Sequence, residues 1–342
     1  MSQSPVPFWR QPSEVAPLFQ AIEDKNDRLA LGLATKTDPG ARDAAGNSPL
    51  AVAAMQGNAE LVAVLMERFD PKAANHKQET ALMMAARAGF LDCVRILAPV
   101  SDASAVDHGQ KTALMHAARR DKSQCVGVLL PISNPDAQDW RGATALMHAI
   151  DDGGVKSVKM LAAASNLAIA DTDGNLALHI AARRSLTDCL NLILGENRPC
   201  GVNRRNNGQG LTPVMAAAQK GLWECVAALA PLSDLELVDD KGDTAWDLAF
   251  GRAWDINDRH GATLLALAPF LPPAQVPDAL AQCQDSRLRP GLAPLMAELE
   301  ALALKATVRD AERPWNQPAR GTEAPHGLAP NGPAARRAAS RI

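Results

Sequence analysis

Residues 80–86 read TALMMAA, and 32 residues further on the chain reads TALMHAA at 112–118, then TALMHAI at 144–150. The same lattice holds SPLAVAA at 48–54 and LALHIAA at 176–182, and extends back to APLFQAI at 16–22. TPVMAAA at 212–218 follows after an interval of 36, and TAWDLAF at 244–250 resumes the step of 32. A four-residue insertion therefore lies between Gly195 and Gly210. Self-similarity at a fixed period marks a chain of repeated supersecondary units.

The register continues beyond the motif. Seventeen residues after each start stand Leu33, Leu65, Leu97, Leu129, Leu161, Ile193 and Leu229. Thirteen residues after stand Leu29, Leu61, Cys93, Cys125, Ser157, Cys189 and Cys225. Nine residues after stand Gly57, Gly89, Gly153 and Gly221, with Asp121 and Ser185 in two units. Thr, or Ser48, is placed to cap a short Ala-rich helix by accepting from an orphan amide. Pro17, Pro49 and Pro213 suit the first helical position, where no donor is needed. Gly ends that helix, and a second follows, such as LDCVRILA or SQCVGVLL, apolar at i, i+3 and i+4. Ser-Asp or Ser-Asn comes next, at 101, 133, 165 and 233. The connecting loop closes on Asp-x-x-Gly at Asp43, Asp139, Asp171 and Asp239.

A helix pair opened by Thr-Pro-Leu-His-x-Ala-type motifs and joined by Asp-x-x-Gly-x-Thr turns resembles the ankyrin repeat, over about residues 8–255. The resemblance implies an all-α solenoid of about eight stacked helix-turn-helix units, with a concave face that binds other proteins. Three departures stand out. The period is one short of the family's usual ~33. The Gly after the second helix is replaced by Ser-Asp or Ser-Asn, whose Asp and Asn tolerate a left-handed backbone. The motif's His survives only as His179, with Met83, Met115, Met147 and Met215 in its place elsewhere. Losing that His removes its usual hydrogen bonds across the turn and implies individually weaker units.

The remaining chain divides accordingly. Residues 1–262 form the array, 263–306 a helical capping segment, and 307–342 a disordered Pro-, Ala- and Arg-rich tail. The cap is read from TLLALAPFL, VPDALAQC and the amphipathic GLAPLMAELEALALKA, since end units must close the core with a polar outer face.

Composition agrees. Of 342 residues, 47% are apolar and 21% charged, which suits a folded chain. The net charge of −3 excludes a generic polyanion binder, so basic patches must be local. Tyr is absent and aromatics reach 4%, which argues against all-β sandwiches and barrels. The N-terminus, MSQSPVPFWRQ, lacks the pattern of a secretory signal, and no stretch is apolar enough for a membrane span. A reducing cytosol is the expected compartment, with export to a host cell as the alternative.

By register, turn tips and first-helix ends are the exposed positions. They carry a basic stripe of Lys77, Arg87, Lys111, Arg119, Arg120, Arg141, Arg183 and Arg184, interrupted by Asp151 and Asp152. Trp140 beside Arg141 is the expected hot spot for a protein partner with an acidic surface, because Trp and Arg dominate such energetics. The competing readings are a solvated mixed-charge face and a Trp140 folded onto Arg141. Enzymatic motifs are missing: Gly208-Gln209-Gly210 lacks the Lys and strand of a phosphate loop, and no cofactor, small-molecule substrate or catalytic residue is expected.

Cys93, Cys125, Cys189 and Cys225 share their slot with Leu and Ser, so they read as compact buried hydrophobes. Successive copies lie roughly 10 Å apart, too far to share a Zn²⁺ with bonds of ~2.3 Å. His116 and His148 stack at the same spacing, which excludes a metal pair or dyad between them and leaves them partly exposed on the first-helix face. The inserted loop, with Arg198, Arg204 and Arg205, reads equally as a flexible finger or a partner contact, and its Cys200 as the one reachable thiol. The second functional reading is a nucleic-acid-associated or inhibitory accessory protein using stripe, loop and tail.

Overall fold

The computed structural model describes residues 12–195, 201–251, 259–285 and 293–311. Helices come in pairs. The first units are α1 (Pro12–Glu23) with α2 (Asp27–Ala34), α3 (Pro49–Gln56) with α4 (Ala59–Leu65), and α5 (Ala81–Ala88) with α6 (Leu91–Leu97). The middle units are α7 (Ala113–Arg119) with α8 (Ser123–Leu129), α9 (Ala145–Asp151) with α10 (Val155–Ala164), and α11 (Ala177–Arg183) with α12 (Thr187–Leu194). Then come α13 (Pro213–Lys220) with α14 (Trp223–Leu229), α15 (Ala245–Phe250) with α16 (Arg259–Leu267), and lastly α17 (Val276–Asp285) with α18 (Ala293–Ala311). First helices pack on first helices and second on second, giving a two-layered all-α stack. No strand forms among the described residues, only the isolated bridges Ala74 to Thr80 and Ala170 to Leu176.

Local chemistry sets each helix start. Ser48, Thr80, Thr112, Thr144 and Thr212 accept from the amide three residues on, at 3.2–3.4 Å. Thr244 and Asp247 cap reciprocally: Asp247 Oδ2 takes the Thr244 N–H at 3.0 Å, and Thr244 Oγ1 takes the Asp247 N–H at 3.2 Å. Leu176 has no oxygen to offer. There His179 Nδ1 accepts the Leu176 N–H at 3.1 Å while its Nε2 reaches Leu211 O of the next unit at 3.0 Å.

Several first helices are followed by a left-handed residue of varied identity: Gly57 (φ 80°) and Gly89 (φ 87°), but also Asp121 (φ 47°) and Ser185 (φ 61°). At Gly57 an added Cβ would fall 2.4 Å from the Phe90 ring of the next unit, so only Gly fits there. The Ser-Asp and Ser-Asn positions differ from expectation. Ser133, Ser165 and Ser233 are extended, and none of Asp102, Asn134, Asn166 or Asp234 has a positive φ. Their side chains accept the amide two residues on instead, as Asp102 does from Ser104 at 2.8 Å. An Asx turn thus does the work of the family's Gly.

The interior is one continuous cluster. Leu50, Leu82, Leu114, Leu146 and Leu178 sit one above another, each at most 1% exposed. Leu61, Cys93, Cys125, Ser157, Cys189 and Cys225 form a second buried column, whereas Leu29 of the first unit is 49% exposed. Ser157 is satisfied by the preceding unit, its Oγ donating to Asp121 Oδ1 at 2.7 Å. Two boundaries shift from the sequence reading. Thr263–Leu267 belongs to α16, which packs on α14 as the second helix of the eighth unit. Helix α18 runs to Ala311, past 307, and the rest of the tail lies outside the described residues.

Candidate functional site

Between units the turns form a ladder of their own. Asp43, Asn75, Asp107, Asp139, Asp171 and Asp239 each accept backbone amides two and four residues on with Oδ1. Each tip then donates one N–H to the preceding tip: His76 to Ala45, His108 to Lys77, Trp140 to Gly109, Thr172 to Arg141, Asn207 to Asp173 and Asp240 to Gln209, at 2.8–3.2 Å. The side chains projecting from this edge are therefore held on a repeated frame.

Three contacts show how edge and first helices meet. Glu79, just before its helix, pairs with Arg87 at that helix's end. Asp107 and Asp139 place their free Oδ2 2.9 Å from Nε2 of His116 and His148, nine residues on. Burial pushes both imidazoles below the usual His range, despite the neighbouring carboxylates. Burial would lift the Asp107 carboxyl, but the Lys111 amide and the imidazole outweigh it, and its net shift is downward. Both imidazoles are thus held toward the neutral form, each with Nε2 facing a carboxylate oxygen. These histidines stand one position after the motif's His and make a different contact, to the Asp of their own turn rather than to the next unit.

The expected site residues all lie on this side, but not as an even stripe. Arg87 is engaged by Glu79, and Arg184 reaches back to Asp151 of the preceding unit. The Arg141 guanidinium lies 4.6 Å from the Trp140 ring centre, so the folded-over arrangement is the one found, while Trp140 remains 57% exposed. Lys77, Arg119, Arg120 and Arg183 are exposed and Lys111 half-buried, and none forms an ion pair among the described residues. Asp152 is exposed at the end of α9.

A family model described as ankyrin repeats (3 copies) matches residues 18–107, 100–173 and 178–268. The chain belongs to the ankyrin-repeat family. Its fold is similar to the solved ankyrin repeat domain of Bcl-3, a member of the IkappaB protein family, at 23% identity and TM-score 0.54, covering 59% of this chain and 94% of that one. It is similar also to the human ASB11 ankyrin repeat domain, at 22% identity and TM-score 0.56, covering 64% and 98%. Ankyrin repeat domains are in general protein–protein interaction modules.

Other features of the ankyrin array sort against this frame. The Cys column is spread one per unit, and burial pushes the Cys93 thiol up to about 11, with Asp92 adding to the effect. Cys200 and Arg198 lie outside the described residues. Arg204 and Arg205 are not on a free finger: Arg204 donates to Ala168 O at 3.1 Å, and Arg205 pairs with Asp240 at 2.6 Å. A cleft of about 850 Å³ is lined by Trp246 and Asp247 of α15 and by Asp278 and Gln282 of α17. Three of its residues are linked, Trp246 Nε1 donating to Gln282 at 3.0 Å and Gln282 to Asp247 at 3.2 Å. No helix among the described residues is long and apolar enough to cross a membrane.

The sequence reading missed how Glu79, Asp107 and His116 converge, one ligand atom from each within 4.8 Å of the others. The signal was present in the nine-residue Asp-to-His spacing at 107–116, repeated at 139–148, together with an acid at 79 where the next unit has Lys111.

Proposed function

We propose that this array is a non-enzymatic recognition module that docks an acidic face of a partner protein onto its concave side, formed by turn tips and first helices. The observation that carries this reading is the set of cations on that side with no ion pair among the described residues: Lys77, Lys111, Arg119, Arg120 and Arg183, flanking an exposed Trp140. Trp140 and Arg141 supply the anchor. A ring already stacked by a guanidinium offers a rigid, partly desolvated surface, and such aromatic and Arg residues dominate binding energetics. The Asp151–Arg184 pair sets charge register along the groove, rejecting a partner whose acids fall opposite Asp151 and Asp152.

Affinity capture from native lysate, read by mass spectrometry, tests the proposal when the wild-type chain is compared with the Arg119→Glu, Trp140→Ala double variant. The variant should lose the captured protein. Retention of the same partner at equal yield would place recognition elsewhere.

Unpaired cations also suit a nucleic acid. Phosphate binding would weaken steeply with salt, by a slope of about −0.9 per contact. The docking proposed here depends on the Trp140 anchor and has the shallower dependence. The internal engagement of Arg205 by Asp240 removes one cation from the nucleic-acid reading.

A further inference from the structure

At the joint between the third and fourth units, three side chains of metal-ligating type come together. Glu79 is 7% exposed, and the side chains of Asp107 and His116 are each 11% exposed. Asp107 spends Oδ1 on the amides of Gly109 and Lys111, which leaves Oδ2 directed at His116 Nε2. Glu79 divides its carboxylate between the Asn75 amide, at 3.1 Å, and Arg87. The three ligand atoms lie within 4.8 Å of one another. A tetrahedral ion with bonds of ~2.1 Å holds its ligands ~3.4 Å apart, so the cluster closes on an ion by about an ångström of side-chain movement.

We propose that Glu79, Asp107 and His116 form a site for a first-row divalent cation such as Zn²⁺, which displaces the Arg87 guanidinium and clips two neighbouring turns together. One imidazole and two carboxylates suit a borderline cation better than Mg²⁺ or Ca²⁺, which take all-oxygen shells. The imidazole ligates through Nε2, the nitrogen that faces Asp107 Oδ2 at 2.9 Å, with its proton carried on Nδ1. Arg87 is at present the counter-charge for Glu79 and thus the ion's competitor. Once displaced it joins the unpaired cations of the groove.

The next unit supplies an internal control. Asp139 and His148 repeat the Asp107–His116 geometry at the same 2.9 Å, but Lys111 stands where the preceding unit has Glu79. The positive charges of Lys111 and Arg119 bear on His148, whereas His116 faces the charges of both Arg87 and Glu79. Once Arg87 is displaced, one Asp–His pair keeps a third carboxylate-type ligand in Glu79, while its twin has the ammonium of Lys111 at that position.

The test is calorimetric titration of Zn²⁺ into the chelator-treated full chain, with Co²⁺ absorption as a spectroscopic reporter and circular dichroism as a check on fold. One saturable ion per chain is expected. Affinity should fall by about tenfold or more in Glu79→Gln and in His116→Ala, stay unchanged in His148→Ala, and rise in Arg87→Gln. Should His116→Ala fail to fold, Glu79→Gln, which keeps the side chain's size, decides alone. Absence of saturable binding, binding indifferent to Glu79→Gln, or an equal loss in His148→Ala would overturn the site.

Discussion

Gln110 holds a φ of 56° in a turn where Gly142, its counterpart one unit on, holds 73°. A non-Gly residue in this region is strained by about 1 kcal/mol or more. Gln110→Gly is therefore expected to stabilise the chain by up to about 1 kcal/mol, the relief being partly offset by the entropy of an unfolded Gly. Gly142→Ala should destabilise it, since its Cβ would meet Thr172 N at 3.0 Å in addition to the strain. Denaturant titration reads both. Asp121 is strained too, but Asp121→Gly should not stabilise, because Asp121 Oδ1 accepts from Ser157 N at 3.0 Å and Oγ at 2.7 Å. His116, His148 and His179 give a second prediction. Burial lowers all three, so below about pH 6.5 the unfolded chain takes up protons that the folded chain refuses. Their contribution is present above that pH and is lost as pH falls toward the folded values. Thermal melts should show Tm falling between about pH 7 and 5, and His116→Gln with His148→Gln should flatten that decline. At this scale the sequence read the apolar column by register, but not Glu79, a turn-tip position that is 7% exposed, nor Leu29, a column position that is 49% exposed. It did not tell which Asp meets which His, because that pairing depends on how a turn folds back on its own helix.

Each first helix starts where a side chain closes an open amide, and the arrangement differs by unit. Thr112→Ala should lower stability by about 1 kcal/mol, the usual effect of an N-cap. His179→Ala should cost more, since His179 serves both the Leu176 amide of its own helix and Leu211 O of the next unit. Paired melts of the two variants check the order. Helix starts at Ser48, Thr80, Thr112, Thr144, Thr212 and Thr244 were legible because capping is a local rule. The Ser-Asp turns were not: a residue that tolerates a left-handed backbone also caps an Asx turn, and only coordinates choose between these. Helix α16 was misplaced for a related reason. TLLALAPFL at 263–271 carries no repeat motif, and its membership in the eighth unit shows only in its contact with α14. The inserted loop follows the same logic. Asn206 takes the Asp role in its turn, accepting from Gln209 at 3.2 Å and Leu211 at 3.0 Å, so the chain rejoins the ladder after the extra residues.

Over the whole molecule no unit buries its own apolar face, so stability belongs to the stack. Met115→Ala, at a position 1% exposed between units, should therefore cost about 2–5 kcal/mol and lower the melting of neighbouring units with it. The repeat, the all-α class and the family were open to reading because a period survives substitution. The charge pattern of the proposed docking side was not legible, since ion pairs with Glu79 and Asp151 engage two of the cations that sequence counts as free. What the stack leaves exposed and unpaired is the basis of its proposed work. Hydrogen exchange of the full chain, alone and bound to the captured partner, tests that most directly. Protection should concentrate at turn tips 108–111 and 140–143 and at the ends of α7, α9 and α11. Protection confined to the second helices α8, α10 and α12 would contradict the account.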